Sequence, residues 1–576
     1  MSLIVGIDLG TTNSEIARIR EGQPEIIPVD GAPTMPSCIG RDSEGQIQVG
    51  RVAKNQMAAA PENTILSIKR KMGEHTTVPL GDQKLTPEEI SALILGKLKT
   101  AAEEFAGEPV TEAVITVPAY FDDAQRKATR NAGTLAGLEV RRIINEPTAA
   151  ALAYETDQTQ NQTILVYDLG GGTFDASLVS VENGVVEVKA SHGNTRLGGD
   201  DFDRLLMEHV EARFREDHDV SLLEDTAAAN RLWTAVETAK RTLTDAPFAQ
   251  IREEYISRDF HLDLEISRVE YEEMIHPLLR KTLDSVHRCL TDAEMLPGAV
   301  DKVILVGGAS RTPLVAEMLK REIPVEPRHE IDPDLIVAMG AAIQAGALRG
   351  KHASSILVDI TPYTFGTKAI GSYAGEYREG VFVPIIRRGT ALPARKAEAF
   401  TTVYDGQDAV DVRVYQGEAP LAEDNIFIGN FLIEGLSDVP AGNEIVMTLA
   451  LDINGILEVT AVERRTGLSK SVTMETTDGI ASFDLEEARE RLAGALGGES
   501  APDSASASAT GEAAAVIVAR ELRKRAEPLL DDIDPTDAEE VRGLLADSEQ
   551  AIADGNLDKL SEHNDSLTDM LFYLED

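Results

Sequence analysis

The spacing of apolar positions changes near residue 350 of this chain, and the change predicts its architecture. Before that point, short apolar runs such as Lys302–Val306 alternate with stretches of helical periodicity such as Arg231–Thr244. Strands that alternate with helices in this way are typical of an α/β domain. Beyond it, apolar residues recur at every second position, as in Ala409–Tyr415, and the pair Asn454-Gly455 is typical of a hairpin turn. Roughly 120 residues of such short strands predict a β-sandwich.

Two polar stretches separate the predicted regions. Residues 349–355 are small and polar, and they lead through the apolar Ile356–Val358 into Asp359, which predicts an interdomain linker. The acidic, helical tail is interrupted by a Ser- and Ala-rich stretch that is typical of a flexible segment. The predicted order is an α/β domain at residues 1–350, a linker at 351–359, a β-sandwich at 360–478, and an α-helical region at 479–576 with a flexible segment at 499–511.

The charge of the chain argues against some classes of partner. Its 98 acidic and 55 basic residues give a formal net charge of −43, whereas binding to nucleic acid or to an anionic membrane requires a basic face. We therefore expect neither partner. The two cysteines, Cys38 and Cys289, are too few for a disulfide framework. The first residues lack the basic region of a signal peptide, and no apolar run approaches the roughly 20 residues that span a bilayer, so a soluble cytoplasmic protein is expected.

Two near-copies of one turn, Gly6–Ser14 and Tyr167–Asp175, indicate the chemistry of the first domain. Each has an apolar strand that ends in an aspartate, followed by glycine and then by a small hydroxyl residue. Glycines let backbone N–H groups approach phosphate oxygens without a clashing Cβ. The two aspartates, Asp8 and Asp168, can face a hydrated Mg²⁺ ion, which tends to keep several of its waters. The duplication predicts two related halves that close on one nucleotide, and hence a protein that binds and hydrolyses ATP.

Further features support a nucleotide site that is not a P-loop, because the pattern GxxxxGK[ST] does not occur in the sequence. The glycine loop Val306–Arg311 follows a strand and opens a helix, which places its amides near a phosphate or the nucleoside. Glu146 stands at a strand-to-helix junction and adds a third carboxylate to the two aspartates; three carboxylates around phosphates imply a cation, best interpreted as Mg²⁺. Lys69 is the natural counter-charge for a γ-phosphate, and its alternative is a place on a solvated basic face.

Eight motifs occur in an order that resembles the seventy-kilodalton heat-shock chaperone family. They are GIDLGTTNS (6–14), VPAYF (117–121), RIINEPTAAALAY (142–154), YDLGGGTFD (167–175), LGGDDFD (197–203), ETAKRTL (237–243), VGGASR (306–311) and MGAAIQA (339–345). The resemblance covers nearly the whole chain and is very specific in residues 1–350, good in 355–478 and loose in the tail. The short tail and abbreviated loops are most similar to the HscC-like branch.

This resemblance implies a multidomain protein with an α/β actin-like (ribonuclease H-like) ATPase domain, a β-sandwich that binds peptide and an α-helical lid. It implies ATP or ADP with Mg²⁺ and K⁺ as bound groups. The implied metal site consists of Asp8, Glu146 and Asp168, and catalysis adds Lys69, Thr173 and Asp175. The implied nucleotide-binding residues are Gly10, Thr11, Thr12, Asn13, Gly170, Gly171, Gly172, Thr173, Glu237, Lys240, Arg241, Thr244, Gly307, Gly308, Ser310, Arg311 and Asp334.

For the β-sandwich, the apolar pattern and the family resemblance predict different roles for the same residues. The alternation of Val410 and Val412 with polar residues predicts, by itself, a strand that faces the core more often than a ligand groove. The resemblance implies a pocket for one apolar side chain of an extended peptide, and an arch over the peptide backbone. The implied pocket residues are Phe400, Val410, Val412 and Ile445, and the implied arch residues are Ile370 and Val403.

The resemblance also implies partners. These are unfolded or extended segments of client proteins, a J-domain co-chaperone and, as a further candidate, a nucleotide exchange factor. The implied interdomain and J-domain positions are Pro118, Arg126, Arg142, Leu357 and Asp359. From the residues alone, Arg126 and Arg142 are surface charges, and the apolar linker is a segment that could dock in one nucleotide state and be released in the other.

Three other functions share part of this pattern. An actin-fold phosphotransferase that acts on a small molecule would have the phosphate turns but would not need a β-sandwich, an apolar linker or a lid. A filament-forming actin relative would lack the region after residue 350, and an inactive peptide-holding protein would not need Lys69 and the three carboxylates. The expected function is therefore that of an ATP-dependent chaperone in which hydrolysis is coupled to peptide affinity.

Overall fold

The fold is described from a computed structural model of the chain. The described residues are 3–42, 44–57, 60–155, 161–182, 184–257, 260–328, 331–350, 356–473, 483–495, 523, 526, 535–553, 559–560, 563 and 567. The chain divides into two compact units, residues 1–495 and residues 496–576. The predicted flexible segment at 499–511 and residues 351–355 of the predicted linker lie outside the described residues. The bounds of the four predicted regions therefore stay predictions.

The first part of the larger unit is a mixture of strands and helices. Residues 3–155 contain β1 (Leu3–Asp8), β2 (Asn13–Arg20), β3 (Gln23–Ile26), β4 (Met35–Pro36), β5 (Ile39–Arg41), β6 (Ile47–Val49), α1 (Arg51–Gln56), β7 (Thr64–Ile65), β8 (Val78–Leu80), β9 (Gln83–Leu85), α2 (Pro87–Ala106), β10 (Val110–Val117), α3 (Asp123–Leu135), β11 (Glu139–Asn145) and α4 (Glu146–Glu155). Residues 162–348 contain β12 (Gln162–Leu169), β13 (Phe174–Glu182), β14 (Val185–Asn194), α5 (Gly199–His218), α6 (Thr226–Asp245), β15 (Phe248–Ser257), β16 (Phe260–Ser267), α7 (Arg268–Asp292), β17 (Lys302–Val306), α8 (Pro313–Glu322), β18 (Pro327–Arg328) and α9 (Ile336–Leu348). The predicted mixed α/β character of this region is confirmed, whereas its assignment as actin-like stays a prediction.

Local sequence sets the ends of the helices that cover the first sheet, as α2 illustrates. The hydroxyl of Thr86 accepts the Glu89 N–H at 3.3 Å, while the Glu89 carboxylate accepts the Thr86 N–H at 2.7 Å. Pro87 fills the first helical position, which needs no N–H donor. Gly107, with φ of +70°, ends the helix in the left-handed conformation that glycine adopts most easily.

Two six-stranded sheets of this region repeat one strand order. The first contains the path β11-β10-β1-β2-β3, and the second contains β18-β17-β12-β13-β14 and continues into β19 (Ile356–Val358). In each sheet the central strand, β1 or β12, is parallel to one neighbour and antiparallel to the next. The two turns duplicated in the sequence therefore follow equivalent strands of two equivalent sheets.

The two halves meet where α4 crosses α9, and the crossing depends on glycine. A Cβ added to Gly340 of α9 would lie 1.8 Å from the carbonyl oxygen of Ala149 in α4. A Cβ added to Gly6 of β1 would lie 2.1 Å from the backbone nitrogen of Ala342 in α9. Because α4 follows β11 and α9 follows β18, the crossing joins equivalent helices of the two halves. Close backbone contact at these glycines fixes the separation of the two sheets.

The region after the linker is a sandwich of two antiparallel four-stranded sheets. Its strands are β20 (Phe365–Tyr373), β21 (Glu376–Ile386), β22 (Ala394–Thr401), β23 (Ala409–Gln416), β24 (Ile426–Glu434), β25 (Glu444–Leu451), β26 (Leu457–Glu463) and β27 (Ser469–Thr473). The sheets run β21-β20-β23-β24 and β22-β25-β26-β27. Val414 of the first sheet and Leu449 of the second are fully buried in one shared core. The Asn454-Gly455 turn joins β25 to β26, as the sequence predicts.

The sandwich packs against the α/β region through backbone and side-chain contacts. The linker strand β19 pairs parallel with β14, so it extends the second sheet by one strand. The Tyr363 hydroxyl donates to the Tyr120 carbonyl oxygen at 2.9 Å, and the two rings lie 4.8 Å apart. At the hairpin turn, the Asn454 side-chain oxygen accepts the Ile143 N–H at 2.9 Å.

A helix beyond the sandwich belongs to the larger unit as well. It is α10 (Leu485–Ala495), and its Arg491 contacts the fully buried Glu89 of α2 with an N–O distance of 2.7 Å. The smaller unit, residues 496–576, contains α11 (Pro535–Ala553), in which Val541, Leu545 and Ser548 form one buried face. None of the described helices is both long and apolar enough to cross a lipid bilayer.

The helix crossing yields a prediction about stability. Replacing Gly340 with Ala should destabilise the protein by about 3 kcal/mol or more, because the added methyl group meets backbone atoms that cannot move aside. Thermal unfolding of the full chain, followed by circular dichroism, measures the effect. Gly96→Ala is the matched control, since a Cβ there meets no atom within 4 Å and helical Ala is about 1 kcal/mol better than Gly. An unchanged melting temperature for Gly340→Ala would refute the close contact.

Candidate functional site

A cavity of about 780 Å³ is lined by residues of both halves of the α/β region. It brings together most of the residues that the sequence predicts for a nucleotide site. Those that line it are Asp8, Gly10, Thr11, Thr12, Asn13, Lys69, Glu146, Asp168, Gly170, Gly171, Thr173, Glu237, Lys240, Arg241, Thr244, Gly307, Gly308, Arg311 and Asp334. Gly172, Asp175 and Ser310 do not line it.

The two duplicated turns lie against each other in this cavity. A Cβ added to Gly10 would lie 2.0 Å from the Asn13 carbonyl oxygen, and one added to Gly171 would lie 1.8 Å from the Thr12 Oγ1. The third loop packs on the second turn, because a Cβ on Gly307 would lie 2.5 Å from the Leu169 carbonyl oxygen. The three loops can lie this close together only because these positions are glycine. The backbone amides of the loops then lie near the cavity.

The hydroxyl of Thr12 supports an anionic ligand. Its Oγ1 is buried and has no hydrogen-bond partner among the described residues. An unpaired buried hydroxyl is costly, so it indicates a missing partner. A phosphate oxygen would accept its hydrogen bond, and the glycine turns beside it leave room for such a group.

Three predicted acids and one predicted lysine form a buried group in the cavity. Lys69 Nζ lies 2.5 Å from Glu146 Oε1, and the two residues are 4% and 7% exposed. Burial and the charge of Glu146 raise the pKa of Asp8 to about 7. Burial, followed by the charge of Glu146, also raises the pKa of Asp168 well above its usual value. Burial opposes the charge of Lys69, but the charges of Glu146 and Asp8 outweigh it and raise its pKa. The group therefore contains three carboxyl groups and one basic side chain.

The donor set fits a hydrated cation better than a bare one. Carboxylate oxygens are among the ligands that suit Mg²⁺ in proteins, and Mg²⁺ usually keeps several of its waters. Within the part of the chain that the structure describes, no three Asp, Glu, His or Cys side chains are placed to hold a metal ion by themselves. An ion at Asp8, Glu146 and Asp168 would need water or phosphate oxygens to complete its ligands, and this metal site stays a prediction.

One face of α6 forms the other end of the cavity. Glu237, Lys240, Arg241 and Thr244 have the spacing of neighbours on one helix face. Arg241 and Lys54 both contact the Glu237 carboxylate, at 2.8 and 2.9 Å. Because Lys54 lies in α1 and Glu237 in α6, their ion pair bridges the two halves across the cavity.

Partner acids hold two further basic side chains at this end. Lys240 contacts Asp203 at 2.6 Å, and Arg311 contacts Asp334 at 2.9 Å as well as Asp332. The neighbouring Ser310 donates its hydroxyl to the Gly307 carbonyl oxygen at 2.6 Å, so it shapes the loop and does not face the cavity. These ion pairs fix the directions of the two basic side chains.

Sequence reasoning missed several side chains that line the cavity. They are Glu15, Ser37, Lys54, Ser67, Asp200, Asp203 and Trp233. Glu15 could have been found, because aligning the two duplicated turns places Glu15 on Asp175, and each lies opposite the strand-end aspartate of its own half. Asp200 and Asp203 belong to a quoted motif to which no role was given. No local pattern distinguishes Lys54, whose place depends on the approach of α1 to α6.

Asp175 lies behind the cavity and connects it to a loop. Its carboxylate accepts the Ala119 N–H at 3.0 Å. Burial and the charge of Glu146 raise its pKa to about 8. The same loop begins at the buried Pro118 and carries Tyr120, which contacts Tyr363 of the sandwich. Asp175 is therefore placed to support the loop and not to touch a ligand in the cavity.

The predicted interdomain residues form a second buried group. The Asn145 amide donates to the Asp359 carboxylate at 2.8 Å, and Arg126 donates to the Asn145 oxygen at 2.7 Å. Arg126 and Arg142 are 5% and 7% exposed, so both are buried and the surface-charge alternative is wrong. Burial raises the pKa of Asp359 and lowers the pKa of both arginines. Leu357 packs on the core that lies between the two sheets.

The predicted peptide-binding residues differ in exposure. Val412 and Ile445 are 5% and 3% exposed and belong to the core of the sandwich. Phe400 and Val410 are half-buried against the same core. Ile370 and Val403, the predicted arch, are exposed. Phe400 and Ile445 are cross-strand neighbours. The set thus extends from the core to the surface, and its role in binding stays a prediction.

The chain matches the model of a known protein family. The model of the family described as Hsp70 protein matches residues 4–574 of this 576-residue chain. The match therefore spans the α/β region, the linker, the sandwich and the helical tail.

The buried ion pair yields a prediction about catalysis. Replacing Lys69 with Ala should lower the single-turnover rate of ATP hydrolysis at least about 100-fold. The substitution removes the buried cation beside Glu146, and a cation there would stabilise charge on a transferring phosphoryl group. Nucleotide binding should remain measurable by calorimetry, since the contacts at α6 are unchanged. The exposed neighbour Lys71, replaced with Ala, is the control and should keep the rate. A rate equal to that of the unmodified protein would remove Lys69 from the mechanism.

Proposed function

Because the chain belongs to the Hsp70 protein family, we propose that it is a chaperone whose β-sandwich binds extended apolar peptide segments with an affinity that ATP hydrolysis controls. Members of this family are ATP-dependent chaperones and ATPases that bind ATP or ADP with Mg²⁺, and they act on unfolded clients together with co-chaperones. The roles of individual residues, the peptide groove and the coupling are the parts that go beyond family membership.

For hydrolysis, we assign the residues of the cavity mainly to positioning. The glycine turns and Thr12 hold the phosphates, and the α6 face with Gly307, Gly308 and Arg311 holds the nucleoside. Asp8, Glu146 and Asp168 are the residues that would hold a hydrated Mg²⁺ and K⁺, which when bound would neutralise phosphate charge. Lys69 is placed to orient the attacking water, and Thr173 to assist it. Positioning and electrostatic stabilisation suffice for phosphoryl transfer, so no covalent intermediate is required.

The observation that carries the coupling proposal is the place of the linker. Its strand β19 lies beside β14 in the same sheet as β12, which carries Asp168 of the cavity. Asp359, directly after this strand, is 7% exposed and bound to Asn145. Asn145 directly precedes Glu146 in the chain. The side chain of Asn145 contacts the linker, and the side chain of Glu146 lines the cavity. A change at Glu146 on hydrolysis would therefore reach the linker over a very short path.

A second path supports the same proposal. Asp175, opposite Asp168 in the sheet, accepts a hydrogen bond from the loop 118–121. That loop contacts the sandwich through Tyr120 and Tyr363. Residues adjacent to the cavity are therefore hydrogen-bonded to the linker and to the loop that contacts the sandwich, and these contacts support the proposed coupling.

The partners of the protein and its location in the cell are also part of the proposal. We assign Pro118, Arg126, Arg142, Leu357 and Asp359 to the interdomain contact and to the region that responds to a J-domain co-chaperone. The exchange factor, the HscC-like branch and the cytoplasmic location are further parts of the proposal. No observation favours the alternative, an actin-fold phosphotransferase that acts on a small molecule.

The experiment that tests the function is ATP hydrolysis with and without an extended apolar peptide. A chaperone hydrolyses ATP faster when the peptide is added, and it releases a labelled peptide faster in ATP than in ADP. A small-molecule kinase would respond to a phosphate acceptor and not to peptide. Equal peptide release in the two nucleotides would contradict the proposed coupling.

The linker yields a prediction about coupling. Replacing Leu357 with Asp should abolish the acceleration of hydrolysis by peptide, because a charge at this position cannot remain packed on the core between the two sheets. Steady-state hydrolysis over a range of peptide concentrations measures the effect. Leu296→Asp is the matched control, since Leu296 is 77% exposed, and it should keep the response. If peptide still accelerates the Leu357→Asp protein, the linker does not transmit the signal.

A further inference from the structure

A buried acid in the sandwich, Glu463, has no part in the chemistry described above. It is the last residue of β26 and is 0% exposed. In the register of the sheet, Glu463 lies opposite Ile445, and Ile445 lies opposite Phe400. Cross-strand partners point to the same face of a sheet, so the acid continues a row that contains two of the predicted peptide-binding residues. A charge at the end of an apolar row needs partners to be stable there.

Three donors supply those partners. The Asn443 amide donates to the Glu463 carboxylate at 2.5 Å, the Ser437 N–H donates to it at 2.8 Å, and the Thr466 hydroxyl donates to its other oxygen. Burial by itself would raise the pKa of Glu463, but these hydrogen bonds outweigh it and lower the pKa to about 2. The carboxylate is therefore ionised at neutral pH, and hydrogen bonds to an ionised acceptor are the stronger kind.

Asn443 connects the Glu463 carboxylate to Thr402, the residue that follows β22. Its N–H donates to the Thr402 hydroxyl at 3.1 Å, and its carbonyl oxygen accepts the Thr402 N–H at 3.0 Å. Thr402 directly follows β22 and directly precedes Val403. Val403 is 58% exposed and is one of the two predicted arch residues. Two residues therefore separate the buried carboxylate from the backbone of the arch.

The loop that carries Val403 depends on the same neighbour. The Gly442 N–H donates to the Thr402 carbonyl oxygen at 3.0 Å, the Ala441 N–H donates to the Asp405 carboxylate at 2.8 Å, and the Gly406 N–H donates to the Val439 carbonyl oxygen at 2.9 Å. Residues 402–406 are thus held along residues 437–443. Glu463 binds this second segment at both ends, through Ser437 and Asn443.

We propose that Glu463 is a positioning residue of the peptide groove, which holds Val403 in place over the bound peptide through Asn443 and Thr402. The proposal rests on the function proposed above, since it takes Val403 and Phe400 to be groove residues. It assigns no contact between Glu463 and the peptide. Its effect is on the rate at which the arch opens, and hence on the rate at which the peptide leaves.

A purely structural role would have a different result. An acid that only stabilises the sandwich would, when removed, reduce the fraction of folded protein and hence the number of peptide sites. The dissociation rate of peptide from the remaining folded molecules would stay the same. A positioning residue changes the dissociation rate itself, so rate and stoichiometry distinguish the two roles.

The test uses the full chain in ADP with a fluorescent extended apolar peptide, and it compares Glu463→Gln with the unmodified protein. The neutral side chain loses the charged acceptor and presents an amide to donors, so peptide dissociation should accelerate about tenfold, the equivalent of one such hydrogen bond. Glu434→Gln is the matched control, because Glu434 also ends a strand of the sandwich but is exposed. The peptide should dissociate from this variant at the same rate as from the unmodified protein. Titration of active sites measures the stoichiometry in each protein.

A second variant keeps the proposal testable if Glu463→Gln does not fold. Asn443→Ala retains the acid and its bonds to Ser437 and Thr466 but removes the side-chain link, so dissociation should again accelerate. Equal dissociation rates in either folded variant and the unmodified protein, with or without a loss of sites, would overturn the role of Glu463. If the unmodified protein does not bind the peptide at all, the proposed function fails instead.

Discussion

The ion pair between Lys69 and Glu146 is the interaction on which the proposed nucleotide site depends. It lies in a cavity where Asp8, Asp168 and Glu15 are also buried or nearly so, and burial raises the pKa of each of these three acids. Removing so many carboxylates from water is costly unless positive charge or protons accompany them. One lysine beside Glu146 compensates only part of this charge. A cation bound beside these carboxyl groups would supply the positive charge that Lys69 alone does not provide.

The position of Glu146 also determines how this site can influence the rest of the unit. It is the first residue of α4, and Asn145 is the last residue of β11. The side chains of these two adjacent residues point in different directions, so Glu146 contacts Lys69 and Asn145 contacts Asp359. Because α4 is locked against α9 at Gly340, the junction cannot shift without moving the crossing of the two halves.

The sequence predicts the parts of this structure that depend on local pattern. The strand β17 is found with the predicted bounds, the alternating region forms a sandwich, and the duplicated turns lie at one cavity because glycine and aspartate spacing reports backbone geometry directly. Features that depend on distant segments were not predictable in this way. The pair Lys54–Glu237 joins residues 183 positions apart, and nothing near Lys54 signals it. The sequence around Arg126 predicts a surface charge on its helix, and its burial depends on the loop 118–121, on Asn145 and on the sandwich turn at Asn454.

The alternation in β23 illustrates a limit of another kind. A period of two separates the inner face of a strand from the outer face, but it cannot separate a core position from a groove position on the same inner face. Val412 is in the core and Val410 is half-buried at its edge, although the two residues have the same place in the pattern. The distinction depends on how far the opposing sheet extends over each residue, which is a property of the assembled sandwich and not of the strand.

The duplicated frame shows how one arrangement of acids can serve two purposes. Each half places a second acid opposite its strand-end aspartate, Glu15 opposite Asp8 and Asp175 opposite Asp168. Like charges that face each other across a strand pair repel, so each second acid needs its own compensation. Asp175 has it in the N–H of Ala119, which turns the acid away from the cavity and ties it to the loop that touches the sandwich. Glu15 lines the cavity itself. The equivalent positions therefore differ, because Glu15 lines the cavity whereas Asp175 binds the loop that contacts the sandwich.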